Sequence, residues 1–249
     1  MGLKTYIKKK IYNLKYLKRK SLNLKNRVIL VTGASSGIGL GICRRLIKDN
    51  LIISIFNNSE KNLKNIENKN LILVKCDLSD LNNYNEIEKS ILKNNIEIII
   101  NCAGQFGSSK QSIDNIEFDN FINIFKINSL SILKILQLIT VHNKMKYLEK
   151  IINISSDAGS LELNNQGNAY IYRTTKSALN SISKNLSIDL QKKFKTSVIT
   201  IDPGNVKSNM NNKGYLSPEK CSEYLVDIIS DNNDYNGSFI NLLKKKIPW

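Results

Sequence analysis

The sequence predicts an α/β protein: one doubly wound domain, with a seven-stranded parallel sheet and helices on both faces. Three observations carry this reading. Seven short β-rich runs alternate with longer stretches of helical periodicity, the pattern of βαβ units. The runs are almost continuously apolar, as strands covered on both faces are. A glycine-rich turn follows the first run and opens the first helical stretch.

The chain begins with "MGLKTYIKKKIYNLKYLKRK", in which Leu3, Ile7, Ile11, Leu14 and Leu17 fall on one helical stripe among lysines. Residues 1–27 hold ten Lys or Arg and no acid, which leaves +6 of the formal net charge of +16 to the rest of the chain. Residues 1–24 therefore read as a basic amphipathic extension suited to peripheral contact with an anionic membrane. A helix docked on its own domain and a terminal tail are the alternatives. The apolar run is too short for a secretory signal, and the segment is poor in Ser and Arg for a transit peptide. Tyr6 stands where a myristoylation signal needs Ser or Thr.

The domain then runs over 25–249. Strands are predicted at "RVILVT" (27–32), "LIISIF" (51–56), "LILVK" (71–75), "IEIII" (96–100), "KIINIS" (150–155), "TSVITI" (196–201) and "GSFIN" (237–241). Helices are predicted over 38–48, 81–94, 117–140, 168–192 and 218–230. No linker or repeat divides the chain, whose three prolines are Pro203, Pro218 and Pro248. No apolar run approaches the ~20 residues of a membrane-spanning helix. Cys43, Cys76, Cys102 and Cys221 stand apart, which predicts a reducing, cytoplasmic setting and no zinc site. The single histidine, His142, follows a predicted helix end and reads as a surface residue. The positive charge, enlarged by Lys244, Lys245 and Lys246, has no nucleic-acid motif beside it, so no nucleic-acid partner is expected.

The chemistry gathers after the strands. In "TGASSGIG", Gly33, Gly37 and Gly39 let the backbone approach a pyrophosphate, and Ser35, Ser36 and Ile38 lie at the helix N-terminus that would bind it. "CDLSD" places Asp77 after the third strand, where a carboxylate could hold an adenine amino group. "NCAG", with Asn101, Ala103 and Gly104, follows the fourth strand at the edge where such sheets bind ligands. In "YRTTK", Tyr172 and Lys176 are four apart and share a helix face. An ammonium beside a phenol favours the phenolate and lowers its pKa from about 10.

Taken together, "TGASSGIG", Asp77, "NCAG", Asn128 in "FKINSL", Ser156 in "INISSDAG", "YRTTK" and "DPGNVKS" resemble the short-chain dehydrogenase/reductase family. The resemblance covers residue 25 to the end and implies a Rossmann domain that binds NAD(P). "YRTTKSALN", "DPGNVKSNM" and "KKKIPW" are similar to a narrower group of C-factor-like and sniffer-like carbonyl reductases. Cys102 stands where the family usually has a second Asn, and Ser208 where Thr is usual. The resemblance implies that Tyr172 gives a proton to the substrate oxygen and Lys176 binds the nicotinamide ribose. Ser156 would hold the carbonyl oxygen, with neighbouring Ser155 a possible rival. Asn128 would fix a water linking Lys176 to solvent. Pro203, Gly204, Val206 and Ser208 would contact the nicotinamide end. The family also implies a homodimer or homotetramer paired through helices starting near residues 117 and 168.

The second strand ends "SIFNNSEKN", with Asn57 and Asn58 where an acid would repel a 2′-phosphate, so NADP(H) is favoured over NAD(H). The expected function is NAD(P)-dependent hydride transfer between nicotinamide and a small carbonyl or alcohol substrate. The alternative is a non-catalytic dinucleotide-binding sensor or scaffold docked through its basic N-terminus. The intact set of Asn128, Ser156, Tyr172 and Lys176 argues against it. The segment up to Pro218 holds Met210 and Tyr215 but no charge that would select a substrate.

Overall fold

The computed structural model of the protein describes residues 24–231 and 233–249. The amphipathic helix expected within residues 1–24 falls almost wholly outside them.

Seven parallel strands form one sheet: β1 (Val28–Thr32), β2 (Leu51–Phe56), β3 (Leu71–Lys75), β4 (Ile98–Asn101), β5 (Lys150–Ile154), β6 (Ser197–Asp202) and β7 (Phe239–Asn241). Their order is β3-β2-β1-β4-β5-β6-β7. The order reverses between β1 and β4, where Val31 pairs with Ser54 on one side and Ile100 on the other. In sheets of this kind that reversal opens a crevice at the carboxyl ends of the strands.

The helices are α1 (Gly37–Leu46), the single turn α2 (Lys61–Lys64), α3 (Asn85–Lys93), α4 (Phe118–Phe125), α5 (Ser131–Val141), α6 (Tyr170–Phe194) and α7 (Pro218–Ile229). Side chains of a strand alternate between faces, and both faces here are apolar. Ile29, Val31, Ile98 and Ile100 pack with Ile42 and Cys43 of α1 and Leu225 and Ile228 of α7. Leu30, Ile99 and Ile151 pack with Ile87 of α3, Ile135 and Ile139 of α5 and Leu179 of α6. This two-sided burial is why the strands read as unbroken apolar runs.

The helix predicted over 117–140 is continuous but not uniform. A π-helical turn, Lys126–Leu130, separates α4 from α5. Phe118–Val141 is, by length and composition, long and apolar enough to cross a membrane, contrary to the expectation that no apolar segment reaches that length. Half of its most apolar window is buried inside the domain. Ile124, Ile132 and Ile139 serve the core, while Phe118, Ile122 and Val141 are exposed. His142 caps the end of α5 and is half-buried, its Nε2 2.7 Å from Glu88 Oε1.

Candidate active site

The turn after β1 is set by close backbone approach. Gly33 has φ +65, and a Cβ there would lie 2.8 Å from the Ala103 backbone. A Cβ on Gly39 would lie 2.4 Å from the Gly33 carbonyl oxygen, so α1 can start here only because both are glycine. Ala103 N donates to Thr32 Oγ1 at 3.1 Å, joining the "NCAG" segment to the end of β1. Ser36 is the N-cap of α1, its hydroxyl makes no capping bond, and the first turn has no acid. The N–H groups of Gly37, Ile38 and Gly39 have no intrahelical acceptor. A Cβ on Gly37 would meet nothing within 4 Å. An open concavity floored by N–H donors at the positive end of a helix fits a dinucleotide pyrophosphate. Ser35 is tied to α2, its carbonyl accepting from Asn62 Nδ2 at 3.2 Å.

At the ends of β2 and β3, the Asn57 amide donates to the Asp77 carboxylate. The Ser79 backbone N–H and hydroxyl donate to the same carboxylate at 2.9 and 2.7 Å. The Ser79 bonds and then Asn57 hold Asp77 below the ordinary carboxylate range. Asn58 is exposed beside them. Asn101 ends β4 with its amide donating to Asn153 Oδ1 at 2.7 Å. It is 8% exposed, so its side chain is part of a polar chain inside the sheet that continues from Asn153 Nδ2 to Ser183 Oγ.

Around Tyr172 the structure brings Asn128, Ser156 and Lys176 to one place. The two serines after β5 separate cleanly. Ser155 is buried and donates to Asn180 Oδ1 at 2.6 Å. Ser156 is half-buried, accepts from Ala158 N at 3.2 Å, and is hydrogen-bonded to Tyr172. The loop that presents Ser156 lies on α6: a Cβ on Gly159 would sit 2.8 Å from the Lys176 backbone. Lys176 is 4% exposed, and its Nζ donates to the Ile154 carbonyl at 2.9 Å. A Cβ on Gly104 would lie 3.4 Å from Lys176 Nζ and 3.5 Å from Asn128 Oδ1, so both side chains converge on the "NCAG" backbone.

Asn128 sits in the π turn, a feature that recurs at functional sites. Its Oδ1 accepts from Gln105 N at 2.8 Å, and its Nδ2 donates to Gln105 O and Thr175 Oγ1, both at 2.9 Å. Thr175 in turn donates to the Tyr172 carbonyl at 3.0 Å. The residue expected to hold a water therefore clamps the loop after β4 onto α6.

The electrostatics differ from the simple pairing of phenol and ammonium. Burial pushes Tyr172 up to about 12, opposed by the Ser156 hydrogen bond and reinforced by Asp202 and Asp157. Burial pulls Lys176 down to about 8. The net shift of Tyr172 is thus upward, where the pairing with Lys176 alone predicted a downward one, because burial is its largest cause.

After β6, Gly204 N donates to Asp202 Oδ1 at 3.1 Å, and Pro203 and exposed Gly204 form the turn. Val206 is buried, bridged to Leu216. Ser208 closes a small turn, its Oγ accepting from Asn211 N at 3.2 Å. Met210 and Tyr215 on this segment are exposed. Three residues had no sequence signal. Phe106 packs its ring 5.1 Å from that of Tyr172. Gln111 and Asn120 bind the loop that carries Phe106. Thr175 was visible in principle, since it lies three residues beyond Tyr172 on the same helix.

A parallel sheet with a glycine turn at its reversal and a Ser–Tyr–Lys cluster beside it defines an α/β oxidoreductase of nucleotide-binding type. The chain belongs to the short-chain dehydrogenase family, whose model, described as short chain dehydrogenase, matches residues 27–217. Benzil reductase ((S)-benzoin forming) of Bacillus cereus is 31% identical over 196 residues, covering 74% of this chain and 77% of that protein. The carbonyl reductase Sniffer of D. melanogaster has the same fold, with a TM-score of 0.82 at 24% identity over 90% of this chain and 100% of that one. An NADPH-bound carbonyl reductase from chicken fatty liver superposes with a TM-score of 0.78 at 24% identity, covering 91% of this chain and 100% of that one.

Proposed function

We propose that this protein is an NAD(P)-dependent carbonyl reductase or alcohol dehydrogenase with Tyr172 as its general acid and base. The observation that carries the reading is the convergence of Ser156, Tyr172 and Lys176 at the carboxyl edge of the sheet, next to the glycine turn. A nicotinamide dinucleotide, when bound, supplies or accepts the hydride. The chain's own residues do the rest. Gly33, Ser35, Ser36, Gly37, Ile38 and Gly39 would hold the pyrophosphate, and Asp77 and Asn57 would face the adenosine. Lys176, with three donors and one of them on Ile154, would bind ribose hydroxyls. Ser156 would donate to the carbonyl oxygen and Tyr172 would deliver its proton there. A phenol held up near 12 is protonated throughout the neutral range, which suits reduction.

NADP(H) is the preferred cofactor in this reading, because the end of β2 presents Asn57 and Asn58 and no acid. Phe106, Met210 and Tyr215 support an apolar carbonyl substrate. A homodimer or homotetramer is supported by exposed Phe118 and Ile122 on α4 and Ile188 on α6. The basic run within residues 1–24 supports a cytoplasmic protein that touches anionic membranes.

The test is a carbonyl panel assayed with NADPH and NADH on the wild type and Tyr172→Phe. Turnover by the wild type that falls by roughly 10²–10⁴-fold in Tyr172→Phe is expected. Dinucleotide binding with no turnover on any carbonyl or alcohol would favour the sensor reading instead.

A further inference from the structure

The helix that carries Tyr172 and Lys176 lacks a cap of its own. α6 starts after Ala169, which is in the left-handed region at φ 48 and has no side-chain oxygen to offer. The first bond within the helix is from Arg173 N to Ala169 O at 2.9 Å. The amides of residues 170 to 172 must find acceptors elsewhere. Two of them find the same residue, 61 positions away from Tyr172 in sequence. Tyr170 N donates to the Gln111 carbonyl at 3.2 Å, and Tyr172 N donates to Gln111 Oε1 at 2.9 Å.

The other end of the same amide faces the loop after β4. Gln111 Nε2 donates to Phe106 O at 3.0 Å and to Ser108 O at 2.7 Å. Gln111 is 3% exposed, so water cannot replace these bonds. Its amide orientation is fixed by its partners, with two carbonyls on the nitrogen side and one N–H on the oxygen side. The loop it grips presents Phe106 against the Tyr172 ring. Asn120 Oδ1 holds the same loop through Ser108 N at 2.8 Å.

We propose that Gln111 is a positioning residue for the reaction: its Oε1 caps the first turn of α6 and fixes Tyr172, while its Nε2 fixes Phe106 over the phenol. The two halves act on different quantities. The cap sets where the proton donor stands and so governs turnover. The clamp sets the apolar wall that the substrate meets and so governs KM. The inference rests on the carbonyl reductase reading for its kinetic consequences, but the cap itself can be measured without any substrate.

Two variants separate the halves. Gln111→Leu removes both. Gln111→Glu keeps an acceptor for Tyr172 N–H and removes the donors to Phe106 and Ser108. Backbone amide exchange on the full chain is the first measurement. In Gln111→Leu the Tyr172 amide should exchange about fivefold to tenfold faster, the loss expected for one backbone hydrogen bond. In Gln111→Glu it should stay protected. Kinetics with NADPH and the best carbonyl of the panel are the second measurement. Gln111→Leu should lower kcat and raise KM with NADPH affinity unchanged. Gln111→Glu should restore most of the lost kcat while keeping the raised KM. Unchanged exchange at Tyr172 in Gln111→Leu overturns the cap. Equal kcat losses in both variants, following only their loss of thermal stability, overturn the positioning role. If Gln111→Leu does not fold, Gln111→Glu decides alone: a protected Tyr172 amide with KM raised and kcat held supports the proposal, and any other pattern refutes it. A wild type that turns over no carbonyl removes the enzymatic reading, and the exchange result still judges the cap.

Discussion

Lys176 Nζ lies 5.8 Å from the centroid of the Tyr172 ring, one helical turn along α6, and donates to the Ile154 carbonyl. Both groups are pressed toward neutrality by burial: the phenol is pushed up to about 12 and the ammonium down to about 8. The pair is therefore set to keep its proton on Tyr172 at neutral pH.

The difference in phenolate absorbance between wild type and Tyr172→Phe should titrate near pH 12 in the cofactor-free protein. Because the folded value exceeds the unfolded one of about 10, this group's stabilising contribution is complete below pH 10 and is lost as pH rises through 12. Alcohol oxidation, which needs the phenolate, should accelerate with pH while carbonyl reduction stays flat across neutrality. A titration at or below pH 10 would contradict the dominance of burial.

Lys176 carries the opposite sign. Its folded pKa of about 8 lies below the ordinary lysine value of 10.5, so the unfolded chain binds more protons between the two. Stability should climb as pH rises across that window. At pH 7 the buried ammonium costs about 3 kcal/mol on this basis. Lys176→Met should therefore raise the melting temperature at pH 7, with the gain shrinking above pH 10, while turnover and dinucleotide affinity fall. A destabilised Lys176→Met would show that the Ile154 hydrogen bond outweighs desolvation.

Ser155 and Ser156 should part company. Ser156→Ala is expected to cut turnover by roughly 10²-fold, the effect of removing one donor to a developing oxyanion, with little change in melting temperature. Ser155→Ala removes a buried bond to Asn180 and should cost about 1–3 kcal/mol of stability while leaving turnover per folded molecule much higher than in Ser156→Ala. Melting curves and kinetics on the two variants check both halves.

Asn57→Asp would place a second carboxylate against Asp77 and a charge at the end of β2. The expected result is a shift in the ratio of NADPH to NADH affinity of about tenfold or more towards NADH, equivalent to ~1.4 kcal/mol. Calorimetric titration of both cofactors measures it. An unchanged ratio would remove Asn57 from the discrimination.

Gly159→Ala would drive a Cβ into the backbone of Lys176. The loop bearing Ser156 must then lift away from α6, at a cost of about 1–3 kcal/mol. Turnover should fall further than dinucleotide affinity, since the contact displaces Ser156 directly while the glycine turn keeps its own backbone geometry. Thermal melting and kinetics together would test it.

What the sequence determined by itself was whatever repeats at short range. Alternating apolar runs and helical stretches specified the doubly wound sheet, because both faces of each strand are covered and every strand is correspondingly apolar. "TGASSGIG" specified the turn, because only glycine allows the approach of Gly33 to Ala103 and of Gly39 to Gly33. Tyr172 and Lys176 were paired by helical spacing alone. The resemblance pointed to Ser156, but only the tertiary structure gave the physical difference from Ser155, which is buried against Asn180, 25 residues further on. Only it broke the helix over 117–140 with a π turn at Asn128, joined Asn57 to Asp77, and brought Gln111 to the start of α6. It also buried Tyr172, and burial moves the phenol upward. Burial is a sum over neighbours from many segments, and two residues four apart carry no information about how much water the rest of the fold excludes.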